Sequence, residues 1–235
     1  MKKAIIGIVS TIEYVMKGNY KKEVISVNSD YINMIEGSGG IPLIIPSTVS
    51  EKDILKIADN IDGLLLIGGE DVGEQLYKKT GSKISNRDKL EAVIYKYCKD
   101  KDIPILGICR GMQIINVLEG GTLTNIKEEK IRHFIEDDGW INYHNIVIKD
   151  NTKLEKIISK KEYVVSSVHH QKVNKVGKDI IVNAISEDGI VEGIEVANKK
   201  FIMGFQGHIE KCLVNYKEYK KIIDFFIKES ENGKR

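Results

Sequence analysis

The chain has 235 residues, enough for one large α/β domain with a substantial core. Its 36 basic and 34 acidic residues leave a net charge of +2, which argues against a nucleic acid or an anionic membrane surface as a partner. The three cysteines, Cys98, Cys109 and Cys212, lack C-x-x-C spacing and are odd in number. They therefore argue against a disulfide framework or a zinc finger and favour the reducing cytoplasm.

The chain begins with two lysines and a short apolar run, so a secretory signal peptide is the alternative to a first strand. The run Ala4–Val9 is too short for a signal peptide, and polar residues follow at once. We interpret it as the first strand of a sheet. No segment is long enough to cross a bilayer.

The first half of the chain alternates strand and helix patterns. The predicted strands are Ala4–Val9, Pro42–Ile45, Gly63–Ile67 and Ile103–Ile108, and the predicted helices are Asp30–Glu36, Ser50–Ala58 and Asp88–Lys99. Ser50 is placed to cap the second of these helices. This βαβα order predicts a parallel sheet covered on both faces, with ligands at the carboxyl ends of its strands.

The second half is dominated by strands and ends in an amphipathic helix. The predicted elements are strands Asn145–Ile148, Tyr163–Val168, Ile180–Ile185, Ile190–Val196 and Phe201–Phe205, and helix Tyr216–Ser230. Glu187-Asp188-Gly189 between two apolar runs predicts a hairpin. Since the chain has no repeat and no Pro-, Gly- or Ser-rich linker, we predict one domain over residues 1–235. Its fold class is α/β, with an added antiparallel hairpin region.

A cysteine stands where the strand Ile103–Ile108 meets the next helical pattern. Gly107 and Gly111 lie two residues on either side of Cys109, and small neighbours let the backbone turn sharply there. This is the thiol counterpart of the serine elbow G-x-S-x-G. The N-terminus of the following helix would favour thiolate over thiol. The alternative is a buried packing cysteine, which is how we interpret the other two.

A thiol nucleophile needs a base, and the base needs an orienting group. Of the five histidines, His208 is best placed, because it follows the apolar strand Phe201–Phe205. In extended backbone, residues two apart point to the same side, so Glu210 could reach the imidazole. Cys109, His208 and Glu210 would then form a triad in the order nucleophile, base, acid.

Two glycines follow the strand Gly63–Ile67 at its carboxyl end. The backbone N–H of Gly69, with that of Arg110 after the nucleophile, would make an oxyanion hole for a tetrahedral intermediate. A plain tight turn at Gly68-Gly69 is the alternative.

Together with several further blocks, these residues resemble the γ-glutamyl-γ-aminobutyrate hydrolase (peptidase C26) family, within the class I glutamine amidotransferase-like superfamily. The resemblance covers nearly the whole chain, and its blocks stand in the expected order. The blocks are Ile67–Tyr77, Arg87–Glu91, Gly107–Gln113, Gly120–Leu123, Val168–Gln171, Glu187–Glu192 and Gln206–Glu210.

The resemblance implies a flavodoxin-like three-layer sandwich with a mostly parallel central sheet. It implies hydrolysis of γ-glutamyl amide bonds through a thioester on Cys109, with His208 as base, Glu210 as its orienter, and no metal or nucleotide cofactor. The substrate-binding residues we expect are Gly68, Gln113, His169, His170 and Gln171. We regard a metal site on the adjacent pair His169-His170 as improbable.

Two further residues have two interpretations each. Asp71 and Arg87 could recognise the ends of a glutamyl group or form salt bridges within their loop. We favour the salt bridges slightly.

The last block departs from the family pattern. Gly207 and Ile209 stand where the family usually has Trp and Pro. We expect Gly207 to leave a gap beside His208, so that the loop is mobile or is filled by an aromatic ring such as Tyr216 or Trp140.

Three functions fit these patterns. The first is a stand-alone hydrolase of small γ-glutamyl amines, with a small-molecule substrate and a homodimer as one state of assembly. The second is a glutaminase that supplies ammonia to a synthase in trans. The third, suggested by Gly207 and Ile209, is a binding protein with a decayed site.

Overall fold

The computed structural model describes residues 3–127, 130–133, 142–213 and 217–233. The strands, in chain order, are β1 (Ile5–Val9), β2 (Thr11–Lys17), β3 (Tyr20–Ser26), β4 (Ile41–Ile45), β5 (Gly63–Leu66), β6 (Ile105–Ile108), β7 (Thr122–Asn125), β8 (Asn142–Ile148), β9 (Glu162–Ser167), β10 (Gln171–Lys175), β11 (Ile180–Ser186), β12 (Val191–Val196) and β13 (Ile202–Phe205). The α-helices are α1 (Ser29–Gly37), α2 (Glu51–Ala58), α3 (Asn86–Asp100), α4 (Arg110–Leu118), α5 (Lys153–Ile158), α6 (Ile209–Cys212) and α7 (Lys217–Asn232).

A nine-stranded sheet in the order β4-β1-β5-β6-β13-β12-β11-β8-β9 forms the centre of the molecule. The pairs from β4 to β13 are parallel. Those from β13 to β9 are antiparallel. The predicted α/β fold, a parallel sheet with an added antiparallel region, is confirmed. The parallel part brings the ends of β5, β6 and β13 together at one edge.

Helices cover both faces of this sheet and create two apolar cores. Within β5, Leu65 belongs to one core while Leu64 and Leu66 belong to the other, as the period-two alternation of a strand requires. Helices α1, α5 and α7 pack on the first face, and α2, α3 and α4 pack on the second. The result is the three-layer arrangement expected from the βαβα pattern.

Helix starts follow local capping chemistry. The Ser50 side chain accepts the N–H of Asp53 at 3.2 Å and caps α2, as predicted. Helix α3 begins two residues earlier than predicted, at Asn86, because Ser85 and Asp88 form a capping box.

The sequence patterns missed several short elements. The hairpin β2–β3 pairs Thr11 with Ser26 through Lys17 with Tyr20, and most of its residues are exposed. The two-stranded sheet β7–β10 and the helices α5 and α6 were also missed. Among the residues described, no helix has both the length and the apolar character needed to cross a membrane.

Candidate active site

Cys109 lies in a sharp turn between β6 and α4. Its backbone has φ 52° and ψ −107°, a conformation that L-residues seldom adopt. The flanking glycines make the turn possible. A Cβ at Gly107 would come within 2.6 Å of the Gly111 carbonyl, and a Cβ at Gly111 would overlap the carbonyl oxygen of Leu66. The predicted elbow geometry is therefore present, and strain at this residue is typical of functional turns.

His208 and Glu210 are in direct contact. The Nδ1 atom of His208 lies 2.6 Å from Oε1 of Glu210, which leaves Nε2 for the thiol. The predicted proximity is thus observed, but the predicted backbone reason is wrong. His208 occupies the N-cap position of the short helix α6, and Glu210 lies in the first turn of that helix rather than in extended chain.

Charge couples the thiol to the imidazole. Cys109 as a residue is 8% exposed. Burial opposes its ionisation, yet the hydrogen-bonded His208 imidazole more than offsets this and holds the pKa of Cys109 below its ordinary value. In the same way, and despite its own burial, the neighbouring thiolate and Glu210 raise the pKa of His208. By contrast, burial raises the pKa of Cys212. The site can therefore hold a thiolate–imidazolium pair at neutral pH.

The Gly68-Gly69 segment runs directly beside this pair. A Cβ at Gly68 would come within 3.0 Å of the His208 ring and 3.7 Å of the Cys109 Cβ. The N–H of Gly68 donates to the Tyr31 hydroxyl at 3.2 Å. Arg110 is the first residue of α4, where helix geometry gives its N–H no acceptor within the helix. Both predicted oxyanion donors, Gly69 and Arg110, border the same cavity as the thiol.

Beneath the elbow lies a buried ion network that the sequence patterns did not predict as a unit. The Arg110 guanidinium pairs with Asp88 at 2.5 Å and with Glu91. Arg87 pairs with Glu91 at 2.8 Å and with Glu70 at 2.8 Å.

Arg87 also fixes the glycine segment. Its guanidinium donates to the carbonyl oxygens of Ile67 at 2.8 Å and Gly68 at 3.1 Å. Arg87 is therefore buried and already engaged, so it is a structural residue, in line with the salt-bridge alternative. The available sequence signals were the i,i+4 spacing of Arg87 and Glu91 and the capping-box spacing of Ser85 and Asp88.

A cavity of about 260 Å³ opens next to the thiol. Its walls contain most of the residues predicted to bind substrate, and the residues lining it are Gly69, Asp71, Cys109, Arg110, Gln113, Val168, His169, His170 and Gln171. A larger cavity of about 580 Å³ lies between α5 and α7. Lys153 and Lys221 are among the residues that line it, and Cys109 is not. The smaller cavity is the one that reaches the thiol.

The side chains around this cavity differ in their exposure and in their hydrogen-bond partners. At its rim, His170 pairs with Asp71 at 3.0 Å, and both side chains are about half exposed. His169 is buried, and its Nδ1 lies 3.0 Å from the carbonyl oxygen of Gln171.

Two glutamines connect the cavity wall to the sulfur. The Gln113 side chain donates to Gln206 at 3.2 Å and to the carbonyl of Gln171 at 3.3 Å. Gln206 in turn donates to the Cys109 Sγ at 3.6 Å. In the sequence Gln206 stands out only as part of a motif, and no spacing rule links it to Gln113.

The predicted gap at Gly207 is wrong. A Cβ at this position would lie 2.7 Å from the carbonyl oxygen of Ser166 and 3.0 Å from the Val165 side chain. The cause is β9, which closes over the loop: Ser166 donates its hydroxyl to the His208 carbonyl at 2.9 Å. Tyr216 and Trp140, the rings suggested to fill the gap, lie outside the described residues.

Comparison with known proteins gives matches along nearly the full chain. A family model described as peptidase C26 matches residues 4–210. A glutamine amidotransferase-like protein of Rickettsia prowazekii is 35% identical over 233 residues, covering 79% of this chain and 82% of the relative. The gamma-glutamyl-gamma-aminobutyrate hydrolase PuuD of Escherichia coli is 28% identical over 199 residues, covering 79% and 78%.

Two solved structures share the fold. The glutaminase domain of Trypanosoma brucei CTPS with bound acivicin has a TM-score of 0.68 at 12% identity, covering 97% of this chain and 94% of that one. A GMP synthase protein of Thermoplasma acidophilum has a TM-score of 0.67 at 17% identity, covering 99% and 96%. At these identities the likeness concerns the fold alone.

Proposed function

Because the chain belongs to the peptidase C26 family, a class of hydrolases and amidotransferases, we propose that it hydrolyses the amide bond of small γ-glutamyl amines. One observation carries the proposal. The Cys109 thiol, with its pKa lowered by His208, sits at a strained elbow and opens onto a cavity of about 260 Å³. The relative PuuD carries a γ-glutamyl hydrolase name, which supports this substrate class.

In the proposed first step, the Cys109 thiolate attacks the side-chain amide carbonyl of the glutamyl group, and a C–S bond forms. The N–H groups of Gly69 and Arg110 face the oxygen that becomes negative. His208 then gives its proton to the amide nitrogen, the C–N bond breaks, and the amine leaves. A γ-glutamyl thioester remains on Cys109.

In the second step, water replaces the amine. His208 takes a proton from this water, hydroxide attacks the thioester carbonyl, and the C–S bond breaks. Glutamate leaves and the thiolate is restored. Glu210 keeps its hydrogen bond to Nδ1 of His208 and stabilises the imidazolium in both steps.

The glutamyl group would lie along the wall formed by Gln113, His169 and Gln171. Asp71, which is half exposed at the rim, is placed to take a positively charged α-amino group, with His170 as its present partner. Arg87 is not available for the α-carboxylate, since Glu70, Glu91 and two carbonyls occupy its donors.

A glutaminase that supplies ammonia to a synthase is the second candidate, favoured by the glutamine amidotransferase-like name of the 35% identical relative from Rickettsia prowazekii. It would use the same triad on free glutamine. The two functions differ in their preferred leaving group and in the need for a partner.

The experiment is a panel of γ-glutamyl amines and free glutamine, with glutamate release measured for each and Cys109→Ser as the blank. The proposal expects release from at least one γ-glutamyl amine at a kcat/KM well above that for glutamine. Release from glutamine alone, increased by an added synthase, would favour the second candidate. If no compound in the panel releases glutamate although Cys109 can still be alkylated, both candidate functions are wrong.

We also propose that the protein acts in the cytoplasm. All three cysteines are thiols rather than disulfides, which fits a reducing cytoplasm.

A further inference from the structure

Three imidazoles surround one buried carboxylate beside the active site. The nitrogens are Nδ1 of His133, Nε2 of His144 and Nε2 of His169, and they lie 3.5, 3.6 and 3.6 Å from the same oxygen, Oε1 of Glu192. Glu192 and His133 have fully buried side chains, and those of the other two histidines are at most 5% exposed. The proposed hydrolysis makes no use of Glu192, His133 or His144.

The hydrogen bonds on the far side of each ring fix its orientation. Nδ1 of His144 meets the carbonyl oxygen of Asn145 at 3.1 Å, and Nδ1 of His169 meets that of Gln171 at 3.0 Å. Nε2 of His133 meets the Asp188 carboxylate at 3.1 Å. A carbonyl oxygen or a carboxylate can only accept, so each of these nitrogens carries the hydrogen.

When the rings are neutral, the nitrogens that face Glu192 therefore carry lone pairs. Nδ1 of His133 also lies 3.2 Å from the Ser167 hydroxyl. Among the described residues, Nε2 of His144, Nε2 of His169 and both Glu192 oxygens have no hydrogen-bond partner. Lone pairs facing a buried carboxylate repel it, and a buried charge is normally paired with an opposite charge or bound to a metal. A cation between these atoms would remove the repulsion.

The spacing and the donors indicate which kind of cation. Zinc–nitrogen and zinc–oxygen bonds of about 2.0–2.2 Å at tetrahedral angles place neighbouring ligand atoms about 3.4 Å apart. The ligand atoms of His133, His144 and Glu192 all lie within 4.8 Å of one another. Imidazole donors favour zinc-like transition metals over calcium or magnesium, and zinc also accepts a carboxylate ligand. Ligand histidines oriented by a carbonyl or a carboxylate are typical of such sites.

We propose that His133, His144 and Glu192 bind one Zn²⁺-type divalent ion, with the His169 ring beside them at the same Glu192 oxygen. From the sequence, a metal site on the adjacent pair His169-His170 was improbable. The structure draws the ligands from three separate segments instead: the 130–133 segment, β8 and β12. The ion would tie these segments together next to the cavity that His169 also lines. Metal binding at these residues is measured without any turnover, so its test does not depend on the proposed hydrolysis.

The test uses the full-length Cys109→Ser protein, so that the active-site thiol cannot hold zinc. The protein is stripped with a chelator, incubated with Zn²⁺, desalted and measured for zinc per chain. We expect one zinc ion to be retained per chain. In the same background, Glu192→Gln and His144→Ala should lower zinc affinity at least about 100-fold, since even outer-shell substitutions cost about 10–100-fold. His170→Ala is the matched control, because His170 pairs with Asp71 and should leave zinc binding unchanged.

A second measurement needs no substitution of His133, His144 or Glu192. The melting temperature of the Cys109→Ser protein should rise when Zn²⁺ replaces chelator, because a ligand that binds only the folded state stabilises it. X-ray absorption of the zinc-loaded protein should show nitrogen and oxygen neighbours and no sulfur. Failure to retain zinc, or equal retention by Glu192→Gln, would overturn the site and leave the hydrolase proposal untouched.

Discussion

At the scale of single residues, the chemistry of Cys109 depends on His208. Burial alone would keep the thiol protonated, and the imidazole reverses this by hydrogen bonding and charge. Cys212 is the last residue of the short helix α6 (Ile209–Cys212). In contrast to Cys109, burial raises the pKa of its thiol. The two thiols should therefore differ in their reactivity at neutral pH.

Alkylation of the native protein should label Cys109 first. Its rate should fall on acidification as the thiol takes up a proton. On raising the pH it should reach a plateau, with an inflection below the ordinary thiol value of about 8.5. Peptide mapping after iodoacetamide treatment across a pH series measures both features. Cys98→Ala and Cys212→Ala should keep the profile and most of the activity. Preferential labelling of Cys212 would show that the nucleophile is misassigned.

Substitutions at the base and its orienter should have graded effects. His208→Ala should lower kcat/KM by roughly 10⁴-fold or more, because both proton transfers are lost. Glu210→Gln should cost less, since the amide oxygen still accepts from Nδ1 but no longer carries a charge. The exposed Glu36→Gln is the control of the same chemistry. An active His208→Ala beside an inactive His169→Ala would identify His169 as the base.

The sequence reached this level of detail only where motif residues lie close along the chain. His208 and Glu210 are two residues apart, and the elbow is a single local turn. The Tyr31 hydroxyl of α1 and the Gln206 side chain after β13 reach Gly68 and Cys109 only in the folded molecule. Likewise, nothing in the spacing of His133, His144 and Glu192 indicates that they converge.

At the scale of elements, the ion network under the elbow joins α3 to α4. Arg110 opens α4, and its guanidinium is held by Asp88 and Glu91 of α3. Because these groups are fully buried, removal of one partner leaves an uncompensated charge. The network therefore fixes the position of the Arg110 backbone N–H, which is one of the two proposed oxyanion donors.

Glu91→Gln should destabilise the fold by about 3–5 kcal/mol, because both Arg87 and Arg110 lose a buried partner. Urea denaturation followed by circular dichroism measures this. Asp100→Asn on the same helix breaks an exposed pair with Lys96 and should leave the midpoint nearly unchanged. Equal midpoints for the two variants would mean that the network contributes little.

The loop at Gly207 gives a second prediction at this scale. Gly207→Ala should cost about 1–3 kcal/mol, since its Cβ would press on the Ser166 carbonyl and Val165. Gly37→Ala is the matched control, because nothing lies within 4 Å of a Cβ there. Thermal melts of both variants decide the matter. An unchanged melting temperature for Gly207→Ala would restore the gap suggested by the sequence.

Elements with strong apolar patterns were predicted well, and those with mixed patterns were missed. The strands β5 and β6 are fully buried and are continuous apolar runs. The hairpin β2–β3 has little burial and carries exposed residues such as Tyr14 and Met16, so no alternation marks it. Helix α6 is only four residues long, too short for a helical period to show.

At the scale of the whole molecule, the sheet order brings the active site together. Strands β5, β6 and β13 are adjacent and parallel, so the segments that follow them share one edge. These segments carry Gly68-Gly69, Cys109 and His208. The βαβα pattern predicted a shared carboxyl edge, but only pairing in space shows that β13, late in the chain, inserts beside β6.

The most direct test of the account is to trap the thioester. Wild-type protein is incubated with a γ-glutamyl amine that it hydrolyses, quenched in acid and weighed by intact mass spectrometry, with Cys109→Ser as the blank. We expect a mass increase equal to one γ-glutamyl group, mapped to the peptide that contains Cys109 and absent from the variant. Turnover to glutamate with no adduct, or an adduct on Cys212, would contradict it.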